Sequence, residues 1–214
     1  MTISLSDAGK RFNREWIFRH FTHTFETGQS YAITGPNGSG KSTLLQVISG
    51  SMMLNEGKIN YSHNPDKNRG NNTTELPTEA IYKSVSICAP YLEVVEEMTL
   101  KEFLEFHHHF KPFLSSLSIE NIISVIGLQE AIDKQIRYYS SGMKQRVKLA
   151  QAIFSGTPFL LLDEPCTNLD TAGIELYHQL INQYCNNRLV IVSSNDEVEY
   201  RFCRERINIT HHKK

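Results

Sequence analysis

Nothing in the 214 residues approaches the ~18 consecutive apolar positions that a membrane-crossing helix needs, so any membrane partner is met from outside the lipid. Residues Met1 to Lys10 lack a basic segment followed by an apolar one, and no leader peptide is expected there. Charge of one sign is missing as well. The 22 Lys and Arg against 23 Asp and Glu leave a formal charge of -1, which excludes the broad basic field that holds nucleic acid or anionic lipid by charge alone. No nucleic-acid partner is expected. The four cysteines, Cys88, Cys166, Cys185 and Cys203, form no CxxC pair, and two of them sit in apolar stretches, so they read as reduced thiols of a cytosolic protein. Internal repeats and low-complexity tracts are absent too.

With 40% hydrophobic residues the chain can bury a substantial core, and residues 1–214 are expected to form a single domain. Apolar runs bounded by polar turns recur at Ser30 to Thr34, Val85 to Ala89, Phe159 to Leu162 and Leu189 to Ser193, each short enough for a buried strand. Longer segments with helical spacing lie between them, the pattern of an α/β core with a mostly parallel sheet covered on both faces. Between Leu100 and Ile136 the apolar positions keep helical spacing with no strand signal, which predicts a helical subdomain over about 92–140 inserted into the sheet. From Ser62 to Glu79 the composition turns to Asn, Pro and Thr and predicts a surface insertion.

The segment GPNGSGKS, Gly35, Pro36, Asn37, Gly38, Ser39, Gly40, Lys41 and Ser42, follows the run Tyr31 to Thr34 and opens a helix through Thr43, Leu44, Leu45 and Val47. Its spacing matches a P-loop. Glycines let the chain curl until successive N–H groups face phosphate oxygens, and the new helix aims its positive end at the same place. Lys41 then adds a full charge near the β- and γ-phosphates of ATP, and the Ser42 hydroxyl can ligate Mg²⁺. The bland alternative, a Gly-rich strand-to-helix turn without a ligand, does not require a Lys-Ser pair after the last glycine.

A second signal is FLLLDEP, Phe159 to Pro165, where four apolar residues end in two carboxylates. A buried strand would deliver Asp163 to the sheet edge to hold the Mg²⁺ water shell, with Glu164 orienting or deprotonating the attacking water. Taken alone, such a run is as often a strand entering a solvated turn.

The third segment, YYSSGMKQR, Tyr138 to Arg146, lies 23 residues before Asp163 counted from Ser140. A Ser-Ser-Gly turn opening an amphipathic helix over Met143 to Phe154 makes another anion-binding helix N-terminus, or merely a Ser-capped helix. Ser140, Ser141 and Gly142 here resemble the signature motif of the ABC ATPase family, and in this order the three segments resemble the ATP-binding subunit of an ABC transporter from Phe12 to Asn195. That resemblance implies a P-loop NTPase fold of ABC type, with an N-terminal antiparallel β-subdomain and an inserted helical subdomain. It implies ATP and Mg²⁺ as ligands. It further implies a second ABC subunit, identical or not, whose serine turn meets the γ-phosphate, and a separate transmembrane permease at the inner face of the membrane. Thr167, Asn168, Leu169 and Asp170 resemble the D-loop of the family, although Asp170 reads equally as a helix cap. Phe12 stands where the family stacks an aromatic on adenine, and reads equally as a core residue.

Two positions depart from the family pattern. After Leu189 to Ser193 the family usually has a His at the γ-phosphate, and here Asn195 can donate a hydrogen bond but carry no charge. Where the family has a Gln reaching Mg²⁺, no Gln occurs between Ile81 and Leu128, leaving Tyr91 or Glu93. A low hydrolysis rate follows from both. The run His107, His108 and His109 points in three directions from one helix and cannot converge on an ion, so it reads with the tail His211, His212, Lys213 and Lys214 as solvated surface.

The function expected is ATP hydrolysis driving a permease, with a mild preference for export. A switch or scaffold with little hydrolysis, and a soluble ABC ATPase without a transport role, stay open as alternatives.

Overall fold

The protein is described by a computed structural model over residues 1–63 and 74–213. The chain opens with β1 (Thr2–Phe12) and β2 (Glu15–Glu26), paired antiparallel. Strict alternation would put Leu5 and Ala8, or Phe18 and Phe21, on opposite faces, yet all four are buried. A one-residue irregularity in each strand resolves this: Asp7 (φ 49°) and His20 (φ 56°) take left-handed backbone, the register shifts, and the alternation changes phase. The two irregular residues face each other, with His20 Nδ1 2.6 Å from Asp7 Oδ1.

The next elements are β3 (Ser30–Thr34), α1 (Lys41–Ile48) and β4 (Glu56–His63), the last pairing antiparallel with β1. β5 (Thr74–Leu76) then pairs with β4 through Tyr61 and Leu76. The flanks of the polar Ser62–Glu79 stretch are therefore ordered as sheet and as a short 3₁₀ turn, Thr78–Lys83, while the expectation for 64–73 lies outside the described residues. This sheet runs β2-β1-β4-β5.

The second sheet takes β6 (Val85–Cys88), β7 (Phe159–Asp163), β8 (Leu189–Ser193) and β9 (Glu205–Asn208) in the order β6-β7-β8-β3-β9, every pair parallel. Between β6 and β7 lie α2 (Leu100–Phe110), α3 (Ile119–Val125) and α4 (Ser141–Phe154), and no named strand. Thr99 with Glu102 caps α2, and Ser118 with Asn121 caps α3, so each start is written in the sequence. α5 (Thr171–Tyr184) and the short α6 (Glu197–Tyr200) complete the set. α5 begins at Asp170, whose carboxylate accepts from the Gly173 amide at 2.8 Å. That is the cap reading of Asp170.

The parallel strands are apolar on both faces and divide the interior in two. Phe159, Leu161, Leu189, Ile191 and Ile33 join α1 and the antiparallel sheet, whereas Leu160, Leu162, Val190, Val192 and Ala32 join α2 to α5. Among the described residues no helix is long and apolar enough to cross a membrane.

Candidate functional site

Strand register brings the site together. Ile33 pairs with Ser193, and Ser193 pairs with Asp163, so β3, β8 and β7 end in one row with Asp163 two strands, about 10 Å, from the start of the glycine loop. Open parallel sheets take ligands in this crevice, at the carboxyl ends of the strands.

Gly35, Gly38 and Gly40 all have positive φ, at 149°, 73° and 102°. A Cβ on Gly40 would stand 2.4 Å from Ile17 Cγ2, whereas one on Gly38 would meet nothing within 4 Å. The loop is thus closed against β2 on one side and open on the other. Lys41 is buried, and its ammonium donates to the carbonyls of Gly35 (2.9 Å) and Pro36 (3.3 Å), which arch the loop around it. Asn37, Gly38, Ser39, Gly40, Lys41, Ser42, Thr43, Ile17 and Glu164 line one cleft of about 240 Å³.

Asp163 at the end of β7 is 2% exposed, and its Oδ1 has no hydrogen-bond partner among the described residues. The hydroxyls of Ser193, beside it in the row, and of Ser39 in the glycine loop are likewise buried without hydrogen-bond partners among the described residues. A buried carboxylate oxygen with nothing to accept from fits a cation, or water held by one. Glu164 enters the cleft on a turn with φ 44°, its amide donating to the Ser193 carbonyl at 2.9 Å. Asn195 reaches the same loop, its Nδ2 donating to Asn37 Oδ1 at 3.2 Å.

Ser140, Ser141 and Gly142 are not brought to this cleft. Ser140 caps α4, its hydroxyl accepting from the Met143 amide at 3.2 Å. Its turn lines a separate open groove of about 680 Å³ with Gly127, Lys134, Arg146, Asn168 and Asp170. Gly142 sits close there: a Cβ would approach the Asn168 carbonyl to 3.1 Å.

The remaining candidates divide. Phe12 is 46% exposed at the end of the β1–β2 hairpin, under the Lys10 ammonium, so its core reading is corrected. Tyr91 lies near Gln46 and Asp163: burial foremost pushes its phenol up, Gln46 pulls it down and the Asp163 charge adds to the rise. Glu93 instead lines a groove between β6 and the helices with His107, Lys111 and Lys148. Tyr91 thus stands within reach of the Asp163 charge at the strand ends.

The reading of the histidine run as solvated is corrected for its first member. His107 Nε2 lies 2.9 Å from Ser155 Oγ, its ring stacks on Phe113, and burial pushes it down to about 4. The tail is also less superficial than expected: His212 packs edge-on to Phe21 at 4.8 Å and Ile209 is fully buried beside Gly35. Three more residues touch this machinery, and of these Gln145 alone lies in a segment singled out above, Tyr138 to Arg146. Ile17 backs the glycine loop, Gln145 on α4 donates to the Pro165 carbonyl at 2.7 Å, and Glu199 accepts from the Cys166 amide at 2.7 Å. Only Gln145 carried a signal, as a polar residue on the buried face of an amphipathic helix.

The family model described as ABC transporter matches residues 18–167, more than half of the chain. The chain belongs to the ABC transporter family, as a nucleotide-binding domain of that family. It is 28% identical to an uncharacterized ABC transporter ATP-binding protein, YybJ, of Bacillus subtilis over 98% of this chain and 93% of that one. It is 26% identical to the cytochrome c biogenesis ATP-binding export protein CcmA of Rhizobium meliloti, over 91% of this chain and 90% of that one. Three other Bacillus subtilis relatives are longer, the chain covering 66%, 53% and 56% of them. Among solved structures, the dimeric bacterial ABC transporter cassette MJ0796 superposes with a TM-score of 0.78 at 22% identity, over 97% of this chain and 94% of that one.

Proposed function

We propose that this chain hydrolyses ATP to ADP and phosphate as one of two subunits that close on the nucleotide, and that closure drives a separate membrane permease. The observation that carries this reading is the division of the machinery. The glycine loop, Lys41 and Glu164 line one cleft, Asn195 reaches its Asn37 and Asp163 ends the strand that leads into Glu164, while the Ser140 turn opens on another groove. One copy is therefore half of a site, and a facing copy would supply the missing anion-binding turn. The dimer of MJ0796 and its post-hydrolysis form bound to ADP and Pi belong to that protein and lend support by likeness.

In this reading the loop amides and Lys41 hold the phosphates, and Ser42 and Asp163 hold Mg²⁺. Bound there, the ion would neutralise charge developing on the β- and γ-oxygens. Glu164 accepts a proton from water as its oxygen bonds to the γ-phosphorus and the bond to the bridging oxygen breaks. Asn195 donates its amide toward the γ-phosphate side of the cleft, and Phe12, exposed at the hairpin tip, is free to stack on adenine. Tyr91 takes the place of the family glutamine. Residues 1–214 act as one domain with 92–140 as its helical part, the chain works at the cytoplasmic face beside its permease, and likeness to CcmA keeps the mild preference for export.

The test is phosphate release from pure protein with Mg²⁺ and ATP, alone and with any polytopic membrane protein found encoded beside its gene. Turnover that rises with the permease supports the reading. Tight ATP binding without turnover in either setting favours the alternative of an ATP-dependent switch, to which the neutral Asn195 amide at Asn37 points.

A further inference from the structure

Five non-glycine residues have positive φ among the described residues, and four of them are Asp, Asn or His, the types that tolerate left-handed backbone. The fifth is Glu164. A glutamate held at φ 44° persists only where its surroundings over-determine it. Both of its own backbone groups are held: its amide donates to the Ser193 carbonyl on the neighbouring strand, and its carbonyl accepts from the Thr167 amide (3.2 Å) and hydroxyl (2.9 Å). The next anchor comes from far along the chain. Cys166, two residues on, donates its amide to Glu199 Oε1 at 2.7 Å.

Glu199 is 5% exposed, a carboxylate buried on the four-residue helix α6. Its backbone carbonyl accepts from the Tyr177 hydroxyl at 2.8 Å, which clamps α6 to α5. Asp196, at the start of the same helix, donates its amide to Ser194 Oγ at 2.9 Å. One short segment therefore grips the Glu164 turn at its far end and carries Asn195, which reaches Asn37 of the glycine loop, at its near end.

We propose that Glu199 is a positioning residue for ATP hydrolysis: through the Cys166 amide it holds the left-handed turn that keeps the Glu164 carboxylate in the phosphate cleft. The inference rests on the ATPase reading above. What the turn needs is an acceptor oxygen in a buried place, and an amide oxygen can serve.

The test compares wild type, Glu199→Gln, Glu199→Met and the control Tyr177→Phe by steady-state ATPase and by hydrogen exchange of the peptide covering Glu164 to Asp170. Glu199→Met keeps the length of the side chain and removes the acceptor. It should lower kcat by about 10-fold or more, the worth of one buried hydrogen bond whose donor is left unpaired, with KM for ATP within about two-fold. Exchange in the peptide should quicken by a similar factor. Glu199→Gln should stay near wild type, and Tyr177→Phe should lower Tm with kcat unchanged. Wild-type kcat in Glu199→Met, or an equal loss in Glu199→Gln, overturns the inference and leaves the ATPase reading standing. If wild type itself does not turn over, that reading fails instead, and exchange decides the anchoring alone: equal rates in wild type and Glu199→Met sink it.

Discussion

A carboxylate serves as a base only from a fixed place, and at Glu164 the backbone supplies the fixing through a torsion that glutamate does not favour. Replacing Glu164 by Gln keeps shape and torsion and removes the proton acceptor. Phosphate release should fall at least ~100-fold while ATP affinity, measured by calorimetry, stays within about two-fold. A variant that still turns over would move the base elsewhere. Asn195 calls for the opposite experiment, since it already reaches Asn37 and lacks only a charge. Asn195→His should raise kcat by about an order of magnitude, the scale of one added electrostatic contact to a transition state. An unchanged rate would show that some other step limits turnover.

Elements carry constraints that no single side chain explains. The glycine loop passes into α1 at Gly40, whose φ of 102° and contact with Ile17 both disfavour a Cβ. Gly40→Ala should weaken ATP binding by about 10-fold or more, since left-handed strain alone costs ~1–2 kcal/mol. A titration with a fluorescent ATP analogue reads this directly. On α2 the relevant group is His107, held near 4 by burial first and then by the charges of Lys111 and His108. An unfolded histidine titrates near 6.5, so as pH falls from 6.5 toward 4 the unfolded chain binds a proton that the folded one refuses. The contribution of neutral His107 is complete above pH 6.5 and lost on the way to 4. Melting at pH 7.5 and pH 5 should show a fall in Tm that is about 2–4 °C smaller in His107→Gln. Equal falls in both proteins would assign the acid sensitivity elsewhere.

What could be read in advance follows from how local each cause is. Ser30–Thr34 and Leu189–Ser193 were legible to the residue, and the start of α5 was legible at Asp170, because continuous apolar runs and an Asp cap are local signals. The glycine loop, Asp163 and Glu164 were legible as segments, and strand register alone then put them in one row. The phase changes at Asp7 and His20 were not, since each bulge makes sense only beside its partner strand. Nor was Glu199, which in the run Asp196 to Tyr200 looks like any solvated acid. Its burial is set by Cys166, 33 positions away.

At the scale of the whole molecule, a cleft and a groove that do not meet in one chain make assembly the quantity to measure. With Glu164→Gln to prevent turnover, Mg²⁺ and ATP should double the mass seen by sedimentation velocity, and removal of nucleotide should return the single chain. Ser140→Arg should block the doubling, because Ser140 caps an exposed helix start where a bulky cation cannot pack against a facing copy. ATP binding to the single chain should survive that change. A variant that still doubles in mass would place the contact surface away from α4.

The two interior layers described above have a mechanical corollary. α1, which carries the phosphate loop, rests on one side of the central sheet, and α4, which begins at the serine turn, rests on the other. On the reading proposed above, a tilt of α4 would load its own layer first. It would reach the Glu164 turn through the Gln145 amide on the Pro165 carbonyl, while α1 and the loop it carries stay seated on the opposite face.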